Sequence, residues 1–127
     1  MIEWRWKNFS EDEIACKHCY AKIIVPEFLD RLQALRDEYS RPMKITSWYR
    51  CSKHNAAVSS TGLDGPHTSG CAVDIACHGK NAFDLVHLAT KCGFTGIGIN
   101  QKGPKDRRFI HIDTLRDIIG FPRIWSY

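Results

Sequence analysis

Between Pro26 and Tyr39 the apolar residues Phe28, Leu29, Leu32, Leu35 and Tyr39 recur at steps of three and four. That spacing predicts an amphipathic helix, with Pro26 in its first turn and its end before Pro42. The period then changes. "MKITSWYR" reads as a strand over Met43–Tyr49, and "CAVDIAC", "FTGIGIN" and "RFIHIDT" read as three more short strands. "NAFDLVHLATKCG" returns to helical spacing, with Asn81 as N-cap and Gly93 as a stop. Shorter signals complete the pattern. Ser10 and Glu13 have capping-box spacing, Ser52 can cap a short helix through Asn55 and Val58, and "SSTGLDGPHTSG" is a turn-rich loop. Trp4 and Trp6 alternate in a candidate N-terminal strand, and the tail with Phe121, Pro122 and Trp125 is expected to pack back on the core. Helices and strands alternate without a βαβ rhythm. The expected class is therefore α+β: a small, mostly antiparallel sheet with helices on one side, in a single domain over residues 1–127.

Composition narrows this reading only a little. With 127 residues, 43% hydrophobic and 25% charged, the chain suits one soluble globular core, and no apolar stretch is long enough to span a bilayer. The first residues, "MIEWRWKNFSEDE", mix charges and tryptophans too early for a signal peptide, so no export address is expected. The net charge of +4 and the basic loop Lys102, Lys105, Arg107 and Arg108 suit an anionic polymer. A nucleic-acid partner would rest on that charge alone; none is expected, nor a membrane partner, and the chain is expected to be a monomer. Six cysteines without a signal peptide point to free thiols or metal rather than a disulfide framework. Cys16-Lys17-His18-Cys19 is a C-x2-C knuckle, half of a structural zinc site. Its other half would need Cys51 and a fourth, distant ligand; buried thiols are the alternative.

The chemistry lies in the turn-rich loop and the strands around it. His67 and Asp74 can share one ion only if the chain doubles back between them. Seven helical residues advance roughly 10 Å and seven extended ones over roughly 20 Å, against a ligand separation of about 4 Å. Ser69-Gly70 is where a reversal fits. On the strand that follows, Ala72, Asp74 and Ala76 share one face and Val73, Ile75 and Cys77 the other. In "RFIHIDT", Ile110 and Ile112 face the core while Phe109, His111 and Asp113 share the opposite face. Asp74 could instead cap a loop or pair with a lysine, and His111 with Asp113 could be a surface hydrogen bond. Taken together, His67, Asp74 and His111 give two imidazoles and a carboxylate, a three-ligand catalytic zinc set with a position left for water. No H-E-x-x-H helix occurs. Trp48 and Tyr49, beside Arg50, could line a substrate cleft or pack in the core.

"ITSWYRCSKHN", "HTSGCAVDI" and "FIHID", in that order, resemble the zinc D-Ala-D-Ala carboxypeptidase family, whose relatives include phage L-Ala-D-Glu endolysins and the Hedgehog N-terminal domain. The likeness runs from about Phe9 to Thr114. It implies a small antiparallel sheet flanked by helices, one catalytic Zn2+ held by His67, Asp74 and His111, and a peptidoglycan stem peptide as substrate. Arg50 would match the arginine that grips a substrate carbonyl or carboxylate, and Ser47 the serine that opens the same motif. An enzyme of this kind without an export signal would act on the cell wall after release, as phage lysins do, or after export by another route. Many relatives carry a general base, often Glu, shortly before the late histidine, where this chain has Arg108. Asp113 is the preferred base and Asp106 the second candidate. The Hedgehog branch keeps open a non-catalytic zinc-binding structural or wall-binding module of the same fold.

Overall fold

A computed structural model describes residues 3–116 and 120–127. Its elements are helices α1 (Glu11–Ile14), α2 (Pro26–Tyr39), α3 (Ser52–Val58) and α4 (Gly79–Lys91), and strands β1 (Lys44–Ser47), β2 (Ala72–Ala76), β3 (Gly96–Asn100), β4 (Phe109–Asp113) and β5 (Arg123–Ser126). The strands form one sheet in the order β1-β2-β4-β3-β5. Every pairing is antiparallel except β3 with β5. The α+β class and its mostly antiparallel sheet are as the residue pattern predicts. Among the described residues no helix is long and apolar enough to cross a membrane.

Strand alternation divides the sheet into two chemical faces. Val73, Ile75, Ile110 and Ile112 enter a core with Phe28, Leu29, Leu32 and Leu35 of α2 and with Ala82, Leu85 and Ala89 of α4. The other face carries the polar residues. Lateral pairing lines up Ser47, Asp74, His111, Gly98 and Trp125 in one row across all five strands. A second row runs through Ala72, Asp113, Gly96 and Arg123.

Four expectations need correction. First, Trp4 and Trp6 are not in a strand. The Trp4 indole N–H donates to the carbonyls of Trp6 (3.1 Å) and Phe9 (2.9 Å), folding the segment into a turn, while Trp6 is buried and donates to Asp30 at 2.9 Å. Second, α4 starts two residues before Asn81, with His78 as N-cap. Asn81 lies in the first turn, where its side chain accepts from Arg41 (2.8 Å), and Arg41 also binds Asp84 (2.8 Å). Third, β1 is shorter than Met43–Tyr49. A register shift between Ile45 and Ser47 distorts the ladder, whose last pair is Ser47 with Asp74, and Trp48 turns into the core against Phe9 and Phe28. Fourth, the tail does not return to the core. It adds β5 beside β3 and lays Trp125 on the polar face.

The last correction has its cause in β3. A Cβ on Gly98 would come within 2.7 Å of the Trp125 ring, and one on Gly96 would strike the Asp113 carboxylate and Arg123. The two glycines of "GIGI" leave the strip of sheet over which Arg123 and Trp125 lie.

Candidate metal centre

His67 sits in a single 3-10 turn, Pro66–Ser69, which ends at Gly70 with φ of 77°. A side chain is strained in that left-handed region, so glycine suits the reversal there. Two residues later β2 begins and delivers Asp74, whose neighbour across the ladder is His111 on β4. The turn thus folds back over the strand that follows it.

The three side chains meet closely. His67 Nε2 lies 3.2 Å from Asp74 Oδ1, His111 Nδ1 lies 3.1 Å from the same oxygen, and the two nitrogens are 3.2 Å apart. All three residues are buried. Ligands about 2.0–2.1 Å from a tetrahedral zinc are separated by roughly 3.3 Å, so this triangle matches one face of such a coordination sphere.

The far side of each ring determines where its lone pair points. His67 Nδ1 donates to the carbonyl of Trp48 at 2.7 Å. His111 Nε2 donates to Asp113 Oδ2 at 2.8 Å. In the neutral tautomers these bonds select, Nε2 of His67 and Nδ1 of His111 carry lone pairs into the triangle, beside a carboxylate oxygen. Backing a ligating imidazole with a carbonyl or carboxylate is the usual outer shell of a metal site. Three electron-rich atoms this close require a positive charge between them, either a cation or a proton.

When no cation is bound, the surroundings of these groups favour a proton in that role. Burial lowers the affinity of His111 for a proton, but its bonds to Asp113 and Asp74 outweigh burial and raise its pKa. Burial raises Asp74, but the bonds from His111 and His67 outweigh it and hold Asp74 low. Asp113 is likewise held low against burial by His111 and Arg123. The carboxylates therefore contribute stability that is complete above their unfolded values near 4 and is lost as pH falls through their lower folded values. His111 contributes stability that is complete below about 6.5 and is lost as pH rises through its higher folded value. Chelator-treated protein is accordingly expected to be most stable between about pH 4 and 6.5 and to weaken above that window. A metal ion replaces the proton, so zinc should remove the alkaline decline. Urea denaturation across this range, with and without zinc, measures both effects; a metal-free chain of constant stability up to about pH 8 would contradict this linkage.

The triangle opens onto a cleft of about 700 Å³ whose lining includes Arg50, Asn55, Phe109, Trp125 and Tyr127. Arg50 donates from Nε to Ser47 Oγ (3.0 Å), from Nη1 to Asn55 Oδ1 (3.3 Å) and from Nη2 to Asp74 Oδ2 (3.4 Å). Tyr127 has its phenol raised above the ordinary value by burial and by Asp74, which keeps it a proton donor. Trp125 covers His111, with ring centroids 5.0 Å apart.

A family model described as Peptidase M15 matches residues 7–113. The chain belongs to the peptidase M15 family. No curated protein matches it significantly. M15 peptidases depend on zinc, and this member's group of possible ligands, His67, Asp74 and His111, falls within the matched span.

The structure brings the expected residues together unevenly. Arg50 and Ser47 reach the site edge as one bonded pair. Asp113 does not face the cleft. It is fully buried behind His111, where it also accepts from both Arg123 nitrogens (3.1 and 2.8 Å) and from the Leu115 amide (3.2 Å). Every oxygen of Asp113 is committed, which leaves it no open approach to a water in the cleft. Asp106 is exposed in a 3-10 turn and does not line the cleft. Among the described residues Asp74 is the only acidic side chain that does. Sequence reasoning missed Asn55, Arg123 and Trp125 as site residues. Asn55 is buried, donating to Thr61 Oγ1 and to the Gly62 carbonyl (both 2.7 Å) while accepting from Arg50. The available signal was a poor helix former, asparagine, inside a short helix.

Proposed function

We propose that this M15 member is a zinc-dependent peptidase that hydrolyses peptide bonds of bacterial peptidoglycan stem peptides. The observation carrying the reading is the tautomer-locked pair of imidazoles whose lone pairs, with one carboxylate oxygen, converge at the floor of an open cleft. His67, Asp74 and His111 would hold one zinc ion. When bound, zinc supplies Lewis acidity toward a carbonyl and lowers the pKa of water toward neutrality.

The remaining work falls to protein groups. Arg50 has five N–H donors and uses three on Ser47, Asn55 and Asp74, so the other two are free for a substrate carbonyl or terminal carboxylate. Ser47 and Asn55 fix the guanidinium plane. The Tyr127 phenol offers a further O–H to a carbonyl oxygen gathering negative charge. Asp113 is a positioning residue here and not the base. It holds His111 in the ligating tautomer and is itself held by Arg123. A carboxylate-rich stem peptide suits a cleft with a cationic wall.

A second reading has one observation in its favour: among the described residues the cleft offers no acidic side chain besides Asp74. That would suit a module of the same fold that binds zinc and wall peptide without turnover. Purified sacculi incubated with the zinc-loaded chain, followed by mass spectrometry of the soluble fraction, distinguish the two. Stem-peptide fragments are expected with zinc, are expected to vanish with a chelator, and to return when zinc is restored. Hydrolysis unaffected by chelation overturns the metal reading. Stoichiometric zinc with no fragments from any stem peptide selects the binding module.

A further inference from the structure

The knuckle Cys16-Lys17-His18-Cys19 gathers at the N-terminal end of α3, apart from the imidazole pair. It precedes α2 in sequence, yet it meets the residue that follows Arg50. The Sγ atoms of Cys16, Cys19 and Cys51 lie within 4.8 Å of one another, and all three thiols are free. Four-coordinate zinc with bonds of about 2.3 Å to sulfur places its thiolates roughly 3.8 Å apart. The knuckle backbone is already closed. The Tyr20 amide donates to the Cys16 carbonyl at 2.7 Å, the Cys16 amide donates to the Ala21 carbonyl at 2.8 Å, and Tyr20 takes a left-handed φ of 63° to permit the turn.

Backbone N–H groups also point at the sulfurs. Cys16 Sγ accepts from the amides of His18 and Cys51, and Cys51 Sγ accepts from the amide of His54, each at 3.4 Å. Such donors favour thiolate over thiol. Buried structural cysteines ordinarily sit among apolar groups and apart from one another. Here three converge, and one of them, Cys19, is exposed. A candidate fourth donor is close in sequence. His54 follows Cys51, the N-cap of α3, by three residues and lies in the first turn of that helix; its ring nitrogens are not within 4.8 Å of all three sulfurs, so ligation requires its side chain to turn toward them. Its ring stacks on that of His18 with centroids 6.1 Å apart.

We propose a second, structural zinc site formed by the thiolates of Cys16, Cys19 and Cys51, with His54 as fourth ligand. Three thiolates and an imidazole in tetrahedral array select zinc over harder cations, and four protein donors close the sphere to substrate. Binding releases the thiol protons to solvent. The ion joins the segment before α2 to the start of α3, and so pins the backbone next to Arg50 from outside the cleft. This assignment does not depend on peptidase activity.

The test uses the whole chain purified under reducing conditions. Metal analysis should find two zinc ions per chain. His67→Ala with His111→Ala should remove one and leave the other. Cobalt loaded into that double variant should show sulfur-to-cobalt charge-transfer absorption in the near ultraviolet. Cys19→Ser, at an exposed position, should abolish that absorption together with one equivalent of metal. His54→Ala should retain the charge-transfer band but alter the visible ligand-field bands. In the wild-type chain, zinc should protect Cys16, Cys19 and Cys51 from alkylation while leaving Cys71, Cys77 and Cys92 unaffected, and a chelator should abolish the protection. A single metal per chain without a thiolate band, a disulfide among the three cysteines in anaerobically prepared protein, or alkylation indifferent to zinc would each overturn the site. Unchanged ligand-field bands in His54→Ala would overturn the fourth ligand.

Discussion

Arg50→Lys is expected to lower kcat/KM on stem-peptide substrate by about 10²–10³-fold, the usual cost of removing one donor from a developing oxyanion. The substitution keeps the charge and deletes the fork. In the native site the guanidinium spans three acceptors on three different segments, Ser47, Asn55 and Asp74, with its side chain only 14% exposed. An ammonium is a point donor on a flexible stem. It cannot bridge those partners and still direct two N–H groups into the cleft. The kinetic split identifies what Arg50 grips. A fall confined to kcat means its bonds form in the transition state, as expected for a carbonyl oxygen gathering charge. A rise confined to KM means a ground-state carboxylate, as expected for a carboxypeptidase. The zinc content of the centre should not change, because Arg50 touches only the outer oxygen of Asp74. Turnover equal to wild type would remove Arg50 from the site's chemistry.

Asp113→Asn should weaken zinc binding at the His67–Asp74–His111 centre by about 10- to 100-fold, the usual effect of losing an outer-shell partner. It should also cost about 3 kcal/mol of stability, the low end for breaking a buried pair, since Arg123 retains some exposure. The amide is nearly isosteric, so the effect comes from hydrogen-bond polarity. Asp113 accepts from His111 on one side and from Arg123 on the other. Asparagine has one acceptor and one donor. If its oxygen faces Arg123, its NH2 meets the Nε2–H of His111, and the imidazole can answer only by moving its proton to Nδ1, the atom that should ligate. If the amide is reversed, a guanidinium faces an N–H. Zinc affinity by chelator competition, read with thermal unfolding, checks this expectation. The same variant separates two roles for Asp113. A general base would leave zinc affinity and stability intact and lose only kcat and its acidic pH limb; that outcome would restore the reading drawn from sequence.

How much was legible beforehand depended on how local each feature is. The H-x6-D segment declares its own geometry, because no regular element brings His67 to Asp74 and Ser69-Gly70 marks the reversal. The alternation of isoleucine with His111 and Asp113 separates core from site within one strand. Helix α2 announces itself through its leucine spacing. Features that depend on distant partners were hidden. Strand β5 is only four residues long and follows a proline, and its docking is encoded in the glycines of another strand, Gly96 and Gly98. Asp113 was placed correctly on the polar face, yet nothing local announced that Arg123, ten residues on, occupies its other side. Asn81 looked like a cap until Arg41, forty residues earlier, claimed its side chain.

The single row from Ser47 through Asp74, His111 and Gly98 to Trp125 ties the chemistry to a matter of parity. Because neighbours along a strand face opposite ways, deleting one residue inside β4 would turn the residues beyond it to the opposite face, disturbing the hydrophobic interior and the polar floor of the cleft together. Lengthening the connections between strands carries no such penalty. Natural variants of this fold should therefore tolerate indels in the hairpin-like links and almost none inside the ladder, and a designer wishing to reshape what the cleft admits should work on the links.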